Sequence, residues 1–196
     1  MIGASIGGTS TPANPVLSPT TAKPPTAVAV PADKDYALVG PATISREIFF
    51  EALVHRASPA VVDLTTKKIN EQRSDALYSI ILAYGMDPNV ALSQFLHESG
   101  MGTAGEAVRT KNWGNLREGP LAGGTINGFA VYKSWYDSLD DYCWTLTEGG
   151  LYYPAIKTVS QMTPKFAPSS DSNDPIAYAK AVNQQCAIWE ALTERG

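Results

Sequence analysis

"DPNVALSQFLHESGMGTAG" runs from Asp87 to Gly105 and spells out a helix together with its two ends. Asp87 offers a side-chain oxygen to the free N–H groups of a first turn. Pro88 stands at the helical position where a missing N–H costs nothing. Ala91, Phe95 and Glu98 share one stripe, and Leu92, Leu96 and Ser99 share the adjacent one. Gly100 ends the run, because glycine enters the left-handed conformation without a Cβ penalty. Glu98 is therefore expected in the final turn, beside the negative end of the helix dipole, at a cost of about 0.3–1 kcal/mol. Apolar neighbours would add desolvation, so both effects favour a neutral acid. A neutral carboxyl is a proton donor, which the leaving oxygen of a glycosidic bond requires. On spacing alone, a solvated and idle glutamate is the competing reading.

Upstream, "SREIFFEALVHRA" from Ser45 reads as a helix capped by Ser45 and closed by Pro59. "EQRSDALYSIILAYG" places Leu77, Ile80, Ile81 and Tyr84 three and four residues apart before Gly85, predicting a helix buried over much of its circumference. Downstream, "GTAGEAVRTKNWGNLREGP" is a loop rich in Gly, Asn and basic residues. "TINGFAVYKSW" alternates around Asn127-Gly128, a strong hairpin signal. "SLDDYCWTLTEGG" predicts a helix with a capping box at Ser138 and Asp141, an apolar face of Leu139, Tyr142, Cys143 and Leu146, and an end at Gly149-Gly150. "YYPAIKTVSQM" (152–162) reads as a short helix, and Asp174-Pro175 repeats the cap-plus-proline start for a last one. The expected fold class is mainly α with one small β-hairpin lobe.

Of the 196 residues, the first 41 are rich in Pro, Thr, Ala and Ser and read as a disordered tail or linker, leaving 42–196 as one folded domain. The tail has neither the basic start nor the apolar run of a signal peptide. A net charge of −4 argues against nucleic acid, and no apolar run reaches the ~18 residues of a membrane span. Cys143 and Cys186 are the two cysteines; a single disulfide and two core thiols both fit. His97 precedes Glu98, but position 101 is Met, so the H-E-x-x-H zinc pattern fails and no metal or cofactor is expected.

Glu98-Ser99-Gly100-Met101-Gly102-Thr103, then Asn112-Trp113-Gly114-Asn115-Leu116, resembles the core motif of the glucosaminidase family, whose members cleave the glycan of bacterial peptidoglycan. "FAVYKSWYDSLDDYCWTL" is similar to the family's strand-to-helix stretch, and "DPIAYAKAV" to its closing segment, so the likeness spans roughly Ser79 to Val182. It implies a lysozyme-like fold with a groove between helical body and hairpin lobe, Glu98 as general acid, and Tyr178 orienting the sugar or its acetamido group. Lys165-Phe166-Ala167 departs from the family's Gly-Tyr-Ala at that place.

Glycosidases commonly use two carboxyl groups. Glu118 is the candidate second one, as a base or water-positioning group; the substrate's 2-acetamido group is the other route. Trp113 and Tyr132 are candidate sugar-stacking aromatics, with core packing as the competing role. Asn112 and Asn115 either bind acetamido and hydroxyl groups or close the turn. Arg109, Lys111 and Arg117 form a basic cluster that is either a solvated face or a contact for acidic muramyl and peptide groups. The expected activity is hydrolysis of the β-1,4 bond after N-acetylglucosamine by a monomer acting on peptidoglycan strands in the envelope, outside the cell or from a phage. Two alternatives remain: a lytic transglycosylase with the same acid, and a non-catalytic peptidoglycan-binding module.

Overall fold

The computed structural model describes residues 34–56, 71–147 and 155–194. Along them run α1 (Arg46–Arg56), α2 (Glu71–Ala83), α3 (Pro88–Ser99), α4 (Ala107–Thr110), β1 (Thr125–Ile126), β2 (Phe129–Ala130), α5 (Trp135–Thr147), α6 (Val159–Phe166), a 3-10 turn (Ser169–Asp171) and α7 (Pro175–Thr193). Helices dominate, and the two strands form a single antiparallel pair, as the sequence predicts.

The axis of the body is α3. Every residue from Pro88 to Phe95 is buried, and the helix packs against α1, α2 and α7. Its polar side chains stay inside because each finds a partner. Asn89 Nδ2 donates to Thr43 Oγ1 and to the Cys186 carbonyl, both at 2.9 Å, while the Tyr142 hydroxyl donates to Gln94 Oε1. Phe95 stacks on Trp113 at 5.1 Å and meets the edge of Tyr142 at 4.7 Å. Such pairs contribute about 0.5–1.5 kcal/mol beyond their buried area. By contrast α2 is amphipathic rather than buried on most sides. Leu77, Tyr78 and Ile81 face inward, but Leu82 is 41% exposed.

Most predicted ends carry the expected chemistry. Asp87 accepts from Asn89 N, Asp174 from Ile176 N and Ala177 N, and Ser45 Oγ from Ile48 N. Gly100 is left-handed at φ 56°. Asn127 and Gly128 both take positive φ, closing a hairpin in which Ile126 pairs with Phe129. One cap moves. α5 begins a turn before the predicted Ser138–Asp141 box, because Ser134 and Asp137 bond reciprocally at 3.1 Å in each direction. Similarly α6 starts later than predicted, at a Thr158 cap. Pro59, Gly149-Gly150 and residues 151–154 lie outside the described residues, as do residues 1–33 of the expected tail.

The rest of that tail belongs to the body. Tyr36 and Leu38 are 2% and 0% exposed, so the domain starts earlier than residue 42. This segment threads between two parts of the fold: Leu38 N donates to the Lys157 carbonyl, and Asp87 N donates to that of Leu38. Lys34 and Tyr36 both bond the Glu190 carboxylate on α7. Cys143 and Cys186 are buried free thiols, which decides the open question. Among the described residues no helix is long and apolar enough to cross a membrane.

Candidate active site

Glu98 is delivered by the way α3 stops. Ser99, fully buried, bonds back to the Phe95 carbonyl at 3.0 Å and receives Gly102 N at the same distance. Gly102 sits at φ 75°, and a Cβ there would lie 2.6 Å from the Trp135 ring. The Ser-Gly-x-Gly turn therefore presses the chain against a core tryptophan and fixes the end of the helix. Glu98, one residue earlier, is left half-buried and lines a groove.

Two other segments close on its carboxyl group. The Tyr178 hydroxyl, from the first turn of α7, donates to Glu98 Oε1 at 2.6 Å. Asn115 Nδ2 donates to Glu98 Oε2 at 3.1 Å and to the Glu98 carbonyl at 2.7 Å. Asn115 reaches there from a left-handed backbone, φ 51°. Each carboxyl oxygen thus has one donor. The environment is consequently more polar than the apolar surround expected from the sequence. Burial, then the Glu98 charge and the bond to it, push the Tyr178 phenol well above its ordinary value, so it stays a donor. Its ring is steadied by His97 at 4.3 Å and Phe166 at 6.3 Å.

The groove has a volume of about 1040 Å³. That is at the upper end of the roughly 300–1,000 Å³ typical of small-ligand pockets, and suits several linked sugar rings. Its lining comes from the 114–120 loop and Phe129 of the hairpin, from Trp144 and Thr145 of α5, and from the 165–173 segment. Glu118 also lines it, exposed and without a hydrogen-bond partner among the described residues.

Other candidates fall elsewhere. Trp113 is 1% exposed, wedged between Phe95 and Trp135 with its indole N–H on the Trp135 carbonyl at 2.9 Å. Tyr132 is 3% exposed. Neither lines the groove, so neither is placed to stack on a sugar. Asn112, fully buried, takes the turn-closing role: its amide spans the Leu116 and Ala130 carbonyls and the Leu116 N–H at 2.8–3.0 Å. That clip ties the loop bearing Asn115 to β2. Arg109 pairs with Glu106, and Lys111 bonds the Lys133 carbonyl; neither lines the groove, whereas Arg117 does.

Besides His97 and Tyr178, the aromatic surfaces lining it among the described residues are Phe129, Trp144 and Phe166, all half-buried. Trp144 carried a signal in the sequence, since it follows Cys143 directly and so falls off the apolar stripe of its helix. Among the described residues no group of three His, Cys, Asp or Glu is arranged to hold a metal ion.

Comparison with protein families returns the glucosaminidase model, described as mannosyl-glycoprotein endo-beta-N-acetylglucosaminidase, over residues 74–191. The chain belongs to the glucosaminidase family. It is accordingly a glycoside hydrolase by family, and the match covers both Glu98 and Tyr178. No curated protein and no solved structure matches the chain. The segment at 34–44 and α1 lie before the matched stretch, although Tyr36, Leu38 and Phe49 are core residues.

Proposed function

We propose that this glucosaminidase-family chain hydrolyses peptidoglycan, cutting the β-1,4 bond after N-acetylglucosamine with Glu98 as the general acid. The observation that carries the reading is a half-buried carboxyl in a sugar-sized groove with one donor on each oxygen. When the acid gives its proton to the glycosidic oxygen, it becomes a carboxylate. Tyr178 and Asn115 are already aimed at the charge that forms, so their bonds strengthen as the reaction proceeds.

As the bond breaks, positive charge grows at the anomeric carbon. The substrate's acetamido oxygen attacks that carbon, and the Tyr178 hydroxyl, already at the acid, orients the group. Water then opens the cyclic intermediate, with Glu98 as base and Glu118 positioning the water from the same groove. Phe129, Trp144 and Phe166 supply apolar faces for the rings. The substrate places the enzyme's action in the cell envelope or outside the cell.

Mass spectrometry of digested peptidoglycan tests this. Reducing N-acetylglucosamine ends are expected. Anhydro-muramyl ends would instead mean a transglycosylase, and no cleavage products would mean a binding module.

A further inference from the structure

We infer that Arg117 is a specificity residue that recognises a carboxylate carried by the glycan, on the muramyl lactyl group or its peptide. This deepens the peptidoglycan reading and rests on it. Of the three clustered basic residues, only Arg117 faces the groove that holds Glu98. It is held there from two sides. Nη2 donates to Asp171 Oδ2 at 3.1 Å, tying the 114–120 loop to the turn before α7. The guanidinium carbon lies 5.7 Å from the centre of the Phe129 ring.

That anchoring uses one of five donors; the other N–H groups have no acceptor among the described residues. The Arg117 side chain is 66% exposed, so the planar fork is oriented by a surface ion pair and keeps donors open to the groove, a geometry that suits a carboxylate better than an ammonium does. Lys165 also lines the groove, but no aromatic ring or carboxylate among the described residues holds it, so it attracts anions without orienting them. The carboxyl groups lining the same groove are Asp171, Glu118 and Glu98 itself. Asp171 both orients Arg117 and competes with an incoming anion for it.

Opposite responses at the two ends of the ion pair follow. Binding is measured by calorimetry in the Glu98→Gln background with three probes. These are a peptidoglycan tetrasaccharide with its peptides, the same strand after peptide removal exposes the lactyl carboxylates, and an N-acetylglucosamine tetrasaccharide bearing no carboxylate. Arg117→Ala weakens at least one carboxylate-bearing probe about five- to ten-fold, and the neutral probe less than two-fold. Asp171→Asn keeps an acceptor for Arg117 but removes the charge, so it tightens the same probe about two- to five-fold.

Which of the first two probes responds tells peptide from lactyl carboxylate. If both variants weaken all three probes alike, the pair only shapes the groove and the inference fails; it also fails if neither variant changes the carboxylate-bearing probes. Digestion of the probes by the Glu98→Gln protein would overturn the catalytic reading instead, which keeps the two failures apart.

Discussion

Tyr178→Phe removes one oxygen from the site and leaves the ring in place. The lost bond is a 2.6 Å O–H···O contact to Glu98, from a residue 7% exposed. A hydrogen bond to a charged group contributes about 1.5–3 kcal/mol, and here that charge is complete only after the proton has left. At 1.36 kcal/mol per decade, kcat is expected to fall about 10- to 150-fold. KM should change little, since the bond is strongest in the transition state. The phenyl ring still packs against His97 and Phe166, so Tm should fall by only a few degrees. Release of soluble muropeptides, measured against substrate concentration, gives both constants. A fall in kcat below three-fold in a folded variant would refute the idea that this hydroxyl stabilises the departing proton's carboxylate.

Asn112→Ala removes three buried hydrogen bonds and strands the Leu116 N–H and the Ala130 carbonyl, while the Leu116 carbonyl keeps its bond from Ala130 N. The loss should reach about 3 kcal/mol and lower Tm by about 6–12 °C, read by calorimetry; a change under 2 °C would show the clip to be dispensable. Asp141 is 1% exposed, and burial raises its carboxyl from its ordinary value although it accepts Leu121 N–H. A folded value above the unfolded one means the native state keeps its proton longer, so wild type loses stability as pH rises from about 4 through the folded value. Asp141→Asn keeps an acceptor for Leu121 and should gain in Tm relative to wild type over that rise. A Tm difference that stays flat or shrinks between pH 4 and 7 would contradict the burial argument.

Helix ends and the hairpin were legible because their chemistry is local. Asp87-Pro88, Gly100, Asn127-Gly128 and Asp174-Pro175 each meet a backbone requirement within three residues. The capping box was harder, since Ser134-x-x-Asp137 and Ser138-x-x-Asp141 both satisfy the pattern. The first pair caps α5, and the second serves distant contacts: Ser138 Oγ takes Trp113 N–H, and Asp141 takes Leu121 N–H. Long-range packing also decided the aromatic residues. Trp113 went to the core because Phe95 and Trp135 enclose it, and Tyr132 because its backbone bonds the Thr110 carbonyl and its ring is buried beside Asp141, contacts that nothing in their neighbourhood announces. The acid's position could be read from one helix end, but its two donors come from segments 17 and 80 residues away. The start of the domain was hidden for a similar reason. Tyr36 and Leu38 are held by α7, residue 157 and residue 87, while their own surroundings look like a tail.

The most direct test is turnover of peptidoglycan by Glu98→Gln, a change that preserves side-chain size and removes the transferable proton. General-acid catalysis contributes about 10²- to 10⁴-fold, so muropeptide release should drop by at least a hundred-fold while Tm stays within a few degrees of wild type. A folded Glu98→Gln protein that retains more than a tenth of the wild-type rate would contradict the assignment of Glu98 as the acid.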